Sequence, residues 1–598
     1  MTTSERLFLG VQRSATGMRW TDRLDQREAN IATTIAQRHG FPDIVSRVLA
    51  GRGVGIDDAV QFVDPTLKSL MPDPAILTDM GKAAHRIAQA IGHNETVAIF
   101  GDYDVDGACS SALLSRFLSH YGIRNRIYIP DRVFEGYGPN PQAMRELVQQ
   151  GASLIVTVDC GTNSAAAIEA AREAGADVVV LDHHQVGGPL PDVALAIVNP
   201  NREDDISGQG HLCAAGVVFL TLVQVARVMR EQRIGHGKPS LDLLGLLDLV
   251  ALATVCDVVP LKGLNRAFVV KGLAVARAQQ NAGITTLVRV ARIGEPVNVF
   301  HLAFLIGPRI NAGGRIGDAG LGARLLTLDD RTEAERIAQE LDRLNQERQA
   351  METIMLQQAE AEAWTEMSGK HEPAIIVTAS DEWHPGIVGL IAARLKEKAR
   401  RPAFAISFNQ NGVGSGSGRS ISGFDLGKLV RDAVERGLLV KGGGHSMAAG
   451  ITVEKAKLGQ LRAFFEERSA DAIARLRDNQ SLAIDAAISA SGATLGLCEQ
   501  LETVGPYGSG HPQPVLALPH HRLVDVRTVG TNHLRVTLAG ADGKRVNAMA
   551  FRAAESELGQ FLLHQRGHSV HVAGNLATNY WNGSTSVQLR ILDAAKAV

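Results

Sequence analysis

"VAIFGDYDVDGACSS", Val97–Ser111, passes from a short apolar run into three aspartates at alternate positions and then into a glycine and a helical pattern. Asp102, Asp104 and Asp106 repel one another unless each faces water or a cation sits among them. The same grammar recurs downstream: "RIYIP" ends in Asp131, "SLIVTV" in Asp159 and "DVVVL" in Asp182, with Ala-rich helical stretches such as "NSAAAIEAAREAG" between. Near-continuous apolar strands alternating with helices form a parallel sheet covered on both faces. Residues from about Glu95 to Val259 therefore read as a doubly wound α/β domain. Such sheets bind ligands at the carboxyl ends of their strands, and the acids fall at that edge.

At 598 residues the chain exceeds a single core, and about three or four domains are expected. Residues 1–80 read as a mixed, helix-leaning lead-in and 81–331 as the α/β domain carrying the acids. Unbroken helical texture over 332–367 places Ile337, Leu341, Leu344, Met351 and Met355 on one stripe, interrupted by Arg348. At 1.5 Å per residue such a helix reaches roughly 50 Å, which suits a connector between two lobes. A second α/β domain is expected over 368–470, and turn-punctuated alternating segments over 471–598 predict a β-barrel or sandwich.

No apolar run approaches the ~20 residues of a membrane span, and "MTTSERLFLG" lacks a signal-peptide plan, so a soluble cytoplasmic protein without a membrane partner is expected. Cys109, Cys160, Cys213, Cys256 and Cys498 form no C-x-x-C pair, which argues against a disulfide framework and a zinc ribbon. With a net charge of −2, attraction to nucleic acid has to come from local basic patches.

Asp102, Asp104, Asp159, and Asp182, His183 and His184 of "LDHHQ" collect at the carboxyl edge. Asp257 emerges from the apolar "LDLVALATVCDVVPL", where an unpaired acid is expensive to bury. Carboxylates with one or two imidazoles make a hard, oxygen-rich set that suits manganese or magnesium. Two such ions, about 3.5–4 Å apart, offset the charge of carboxylates that share one small volume. A lone Asp at a strand end is ordinarily a cap or turn former, but four hits at one edge exceed what capping explains. Asp106 keeps both readings, because alternation lets it cap the following helix. Cys160 and Cys256 adjoin two of the acids and read as small buried thiols. Further on, "GSGSGRSI" offers successive backbone N–H groups as an anion nest, with Ser417 and Arg419 as donors. Arg315 in "GGRIGD" offers a fork suited to phosphate, and Arg132 is a further candidate.

"GDYDVDG", "TVDCGT", "DHH" and "ALATVCDVVPL", in this order and spacing, resemble the DHH phosphoesterase superfamily, and "KGGGHSMAAG" resembles the glycine-rich signature of its associated second domain. "GPRINAGGRIGDA", "WHPGIVGLIAARL", "GSGRSI", "PYGSGHPQPVL" and "NYWNGSTSVQLRI" resemble the bacterial single-strand-specific DNA exonucleases within it, from about residue 49 to the end. The resemblance implies a C-terminal OB-fold and two Mn2+ or Mg2+ ions held by Asp102, Asp104, Asp159, His183 and Asp257, with Asp159 bridging. His184 then contacts or orients the scissile phosphate, and Asp182 holds a histidine in place. It also implies removal of nucleotides from the 5′ end of single-stranded DNA in recombination and repair. Arg132, Arg315, Ser417, Arg419 and His445 bind the 5′-phosphate end on this view, and a single-strand-binding protein and a RecQ-type helicase are the expected partners. Many relatives carry a histidine just ahead of the first acid pair; Phe100 stands there in this chain, which implies a weaker hold on the first metal. Tyr580, Trp581 and Phe551 suit base stacking or barrel core equally. Two rival readings are a superfamily phosphodiesterase acting on short oligonucleotides and a non-catalytic DNA-binding replication scaffold. The long C-terminal extension argues against the first, and the filled carboxylate positions against the second.

Overall fold

The computed structural model describes residues 6–131, 135–136, 138–235, 237–367, 372–581 and 584–597, excluding the side chains of Tyr580 and Trp581. The chain divides into two compact units, residues 67–477 and residues 1–66 with 478–598.

In the larger unit, strands β1 (Val97–Gly101), β2 (Asn125–Tyr128), β3 (Leu154–Val158), β4 (Asp177–Leu181) and β5 (Ala196–Val198) form an all-parallel sheet in the order β2-β1-β3-β4-β5. Alternation along each strand serves two cores. Val97 and Ile99 pack on one face with helices α1 (Val105–His120), α2 (Ala214–Glu231) and α3 (Leu247–Cys256), while Ala98 and Phe100 pack on the other with Met144, Leu147 and Ile168. Both faces are covered, as the unbroken apolar runs require.

Helix α4 (Gly307–Ile316) precedes the 37-residue helix α5 (Arg331–Met367). Ile337, Leu341 and Leu344 of α5 belong to the first core, whereas Met355, Ala359 and Ala363 pack with Ile376, Trp383 and Ile391. One helix thus serves both lobes of the unit. Arg348 occupies the buried stripe and is accommodated because its guanidinium donates to Asn345 Oδ1 and Glu352 Oε2. Met351, expected on the stripe, is exposed instead.

The second lobe carries β6 (Ile376–Ser380), β7 (Ala403–Phe408), β8 (Val413–Arg419), β9 (Lys441–Gly444) and β10 (Ala448–Glu454), in the order β9-β10-β8-β7-β6, with helix α6 (Val388–Ala399). Only β6 and β7 run parallel. "GSGSGR", expected to be a nest, is therefore a central strand whose backbone is used by ladders on both sides. Its glycines have a packing cause. A Cβ on Gly414 would lie 2.6 Å from the Phe408 ring, one on Gly416 2.8 Å from Ile451 Cγ1, and one on Gly418 would overlap the Phe404 ring.

In the smaller unit, β11 (Leu516–Val529), β12 (His533–Ala539), β13 (Arg545–Ala550), β14 (Ser569–Trp581) and β15 (Ser584–Lys596) close a five-stranded barrel, because β14 also pairs with β11. Leu518, Leu534, Val536, Leu538, Val572 and Leu589 fill it. The first residues of the chain join this unit rather than stand alone. Arg19–Asp22 pairs in parallel with Ser481–Ile484, and the fully buried Trp20 donates from its indole nitrogen to Asp593 at 2.9 Å. Buried Asp485 receives Arg23 at 2.9 Å and Arg52 at 2.7 Å, so charge pairing reinforces the seam. No helix among the described residues is long and apolar enough to cross a membrane.

Candidate metal centre and phosphate-binding residues

The connections leaving β1 and β3 run to opposite sides of the sheet, and such a reversal opens a crevice at the carboxyl ends of the two strands. Asp102 directly follows β1 and Asp159 directly follows β3; they are 4% and 1% exposed. Asp159 sits in the left-handed region at φ 62°, a conformation that non-glycine residues hold mainly where surrounding structure forces it. Asp104 caps α1 by accepting from Gly107 N at 3.1 Å. Gly107 has to be glycine, since a Cβ there would overlap the Asp102 carbonyl. Gly314 of α4 lies against Tyr103, between the two acids, where a Cβ would meet the Tyr103 carbonyl oxygen at 2.7 Å. Asp182, His183 and His184 follow β4, and Asp257 ends α3.

These residues converge. Ligand atoms lie within 4.8 Å of one another in three groups: Asp102, Asp104 and Asp159; Asp159, His183 and His184; and Asp106, His183 and Asp257. Asp159 belongs to two of them. His183 Nδ1 lies 3.0 Å from the Leu212 carbonyl oxygen. A carbonyl only accepts, so Nδ1 carries a proton, and in the neutral imidazole Nε2 then keeps the lone pair that a metal ligand requires. Nε2 is 3.3 Å from Asp159 Oδ1 and 3.7 Å from Asp257 Oδ2.

Electrostatics favour a cation among these groups. Burial, then the carboxylates of Asp106, Asp104, Asp102 and Asp257, push Asp159 well above the usual carboxylate range. Burial and the Asp106 and Asp104 carboxylates push Asp257 up to about 9. His183 Nε2 and Asp257 Oδ2 are buried with no hydrogen-bond partner among the described residues. Their 3.7 Å separation would let one divalent ion take both atoms as ligands. The donor set of carboxylates and one lone-pair imidazole is that of manganese or magnesium.

Asp182 lies behind this rim. It accepts from Thr162 N, His183 N and His184 N, and from His184 Nδ1 at 2.8 Å. Asn199 donates to the His184 carbonyl and to Thr162 Oγ1, and Asn201 donates to the His183 carbonyl. These asparagines were missed in the sequence, although "VNPN" directly follows the apolar edge run that forms β5. Asp106 does cap a helix, but not the one expected. Its oxygens accept from Ala214 N at 2.6 Å and Ala215 N at 2.8 Å, at the start of α2. Phe100 is fully buried against Tyr128, on the sheet face away from α1. Cys160 is buried and Cys256 nearly so; burial raises both thiols, and each contacts a backbone carbonyl.

Three of the expected phosphate-binding residues meet around 386–389. Arg315 donates from Nη1 to the Gly386 carbonyl at 3.0 Å. A Cβ on Gly389, in the first turn of α6, would lie 3.1 Å from Ser417 Oγ and 3.2 Å from Arg419 Nη2. Arg419 donates to Ser417 Oγ at 2.8 Å. Ser417 and Arg419 alternate with the packing glycines of β8, so they share the face opposite Phe404 and Ile451. His445 is exposed and donates its N–H to the Ala448 carbonyl; Ala448 pairs with Arg419, so both residues stand at one end of the sheet. Arg132 lies outside the described residues. In the barrel, Phe551 is half exposed and edge-on to His533.

Family models match three segments: the DHH family N-terminal domain over 96–254, the DHHA1 domain over 372–471 and the RecJ OB domain over 484–593. The single-stranded-DNA-specific exonuclease RecJ of Dickeya dadantii is 35% identical, covering 92% of this chain and 96% of that protein. The protein of the same description from Escherichia coli is 34% identical over 92% and 95%. Among solved structures, RecJ from Thermus thermophilus in complex with Mn2+ matches with a TM-score of 0.77 at 29% identity, covering 95% of this chain and 78% of that one. An exonuclease RecJ bound to manganese matches with a TM-score of 0.55 at 33% identity, covering 67% and 96%.

Proposed function

The chain belongs to the RecJ family of DHH phosphoesterases, and on that premise we propose the residues through which it acts as a single-strand-specific DNA exonuclease. The enzyme hydrolyses phosphodiester bonds from the 5′ end with manganese or magnesium, in DNA recombination and repair. Asp102, Asp104, Asp159, His183 and Asp257 would hold the two ions, Asp159 being shared by two of the ligand groups. The observation that supports this most is the buried convergence of those side chains with the Nε2 lone pair of His183 held toward Asp159 and Asp257.

Two divalent ions bound there supply a water of lowered pKa and polarise the phosphodiester. The protein's own groups do the rest. Asp182 fixes the His184 ring, which contacts the scissile phosphate, and Asn199 and Asn201 brace the backbone of both histidines. Arg315, Ser417 and Arg419, with His445 and Arg132, take the 5′-phosphate and so set direction. Within the division 81–331, 332–367, 368–470 and 471–598, these tasks are hydrolysis, connection, end recognition and strand tracking by the OB-fold. The cleft between the two α/β lobes admits a single strand and excludes duplex. A cytoplasmic setting, a single-strand-binding protein and a RecQ-type helicase complete the proposal.

The test is digestion of a 5′-phosphorylated single-stranded oligonucleotide with and without Mn2+ or Mg2+. Asp104→Ala and Asp159→Ala should abolish metal-dependent release of nucleotides while the proteins remain folded. If both variants cut as fast as the parent, the site assignment is wrong. Efficient digestion of blunt duplex by the protein alone would contradict the single-strand cleft.

A further inference from the structure

Asp106 is the most buried of the three aspartates in "GDYDVDG", 1% exposed, and its own helix does not need it. Asp104 already caps α1. Asp106 reaches instead to the start of α2, where the cap position, Cys213, offers no side-chain hydrogen bond. Both carboxylate oxygens are engaged there, Oδ2 by Ala214 N at 2.6 Å and Oδ1 by Ala215 N at 2.8 Å. A serine or asparagine at position 213 would cap α2 without placing another anion beside four acids. A buried carboxylate is an expensive cap, which calls for a second purpose at this place.

That purpose lies two residues before Ala214. The Leu212 carbonyl accepts the Nδ1 proton of His183 at 3.0 Å, and this bond selects the tautomer that leaves Nε2 as an acceptor. Leu212 is itself fully buried, and the segment 212–215 meets Asp106 through the Ala214 and Ala215 N–H groups and the imidazole through the Leu212 carbonyl. Asp106 Oδ2 is also 3.8 Å from His183 Nε2, across the space shared with Asp257. We propose that Asp106 is a positioning residue for His183: by clamping the Ala214 and Ala215 N–H groups it holds the Leu212 carbonyl where that carbonyl fixes the imidazole tautomer and aim. The inference rests on the reading of His183 as a metal ligand.

Equilibrium Mn2+ binding to the full-length protein, followed by electron paramagnetic resonance of the free ion, tests both. His183→Ala, Asp106→Ala and the double variant form a cycle, and circular dichroism melts report folding. His183→Ala should weaken Mn2+ binding. Asp106→Ala should weaken it by about 10–100-fold, and the double variant should be no weaker than His183→Ala alone. Asp106→Asn retains one acceptor and should fall between parent and Asp106→Ala; it replaces Asp106→Ala in the cycle should that variant not fold. Losses that add would make Asp106 an independent ligand and overturn the proposal, as would unchanged Mn2+ affinity in a folded Asp106 variant. Unchanged affinity in His183→Ala would instead overturn the ligand reading beneath it.

Discussion

His184 Nδ1 lies 2.8 Å from Asp182 Oδ1, an oxygen that also accepts from the backbone N–H groups of His183 and His184. Burial opposes a charged imidazole, yet the Asp182 bond and its negative charge raise His184 to about 9 in the metal-free protein. The same bond, with those from Thr162, holds Asp182 below the usual carboxylate range against the pull of burial. A histidine raised above its unfolded value near 6.5 contributes stability that is fully present below that pH and lost as pH rises through about 9. Asp182→Asn removes the negative charge but keeps the burial and one acceptor oxygen. The His184 titration, followed by NMR in metal-free protein, should then fall from about 9 toward the ordinary histidine value. A midpoint that stays put would show that Asp182 does not hold the ring.

Metal binding should be steeply pH-dependent, with affinity climbing as pH rises. Asp257, raised to about 9, holds its proton at neutral pH without a cation, and burial and the neighbouring carboxylates push Asp159 in the same direction. Each has to lose its proton to ligate, so Mn2+ uptake releases protons and weakens as acid is added. Titration calorimetry at pH 7 in two buffers of different ionisation enthalpy measures that release. Identical apparent enthalpies would mean that no proton leaves and that these carboxylates are already ionised.

The glycines of β8 make a prediction about stability rather than binding. A Cβ on Gly416 would lie 2.8 Å from Ile451 Cγ1 and 2.9 Å from Ile406 Cγ1, and both neighbours are buried. Gly416→Ala should therefore destabilise the lobe by about 1–3 kcal/mol. Gly443, in β9, has nothing within 4 Å of its Cβ position, so Gly443→Ala should stay within about 0.5 kcal/mol of the parent. Urea unfolding of the two variants compares them directly. Equal stability, with DNA binding lost only in Gly416→Ala, would restore the anion-nest reading.

The contrast between β8 and β1 shows what a sequence displays and what it hides. "VAIF" is buried on both faces, so its apolar run announces a central parallel strand, and the acid after it falls at the binding edge because topology puts every such strand end there. "VGSGSGR" is equally central, yet the bulk that fills its inner face belongs to Phe404, Phe408 and Ile451 on neighbouring strands. A strand whose packing is supplied by its partners reads as a loop. The same reason conceals the placement of Arg19–Asp22, whose ladder partner, Ser481–Ile484, is remote in sequence. Asp102, Asp104 and Asp159 were legible because local strand grammar positions them; Asp106 was half legible because its partners, Ala214 and Ala215, lie on another helix.

End recognition should be separable from hydrolysis. Arg315 and Arg419 belong to different lobes and meet around residues 386–389, and neither is among the residues grouped about Asp159. Charge-assisted hydrogen bonds to phosphate contribute about 1.5–3 kcal/mol each, which is roughly 10–100-fold in kcat/KM. Arg419→Ala should lose that factor on a 5′-phosphorylated oligonucleotide while leaving a 5′-hydroxyl oligonucleotide and Mn2+ affinity nearly unchanged. Ser417→Ala, which removes a neutral hydroxyl beside Arg419, should lose less on the same substrate. The ratio of kcat/KM on the two oligonucleotides is the measurement. An equal fall on both would place Arg419 in general strand binding, and a fall in Mn2+ affinity would place it in the metal site. Only loss of the ratio, with hydrolysis of the hydroxyl end intact, makes the contact a reader of the 5′ end.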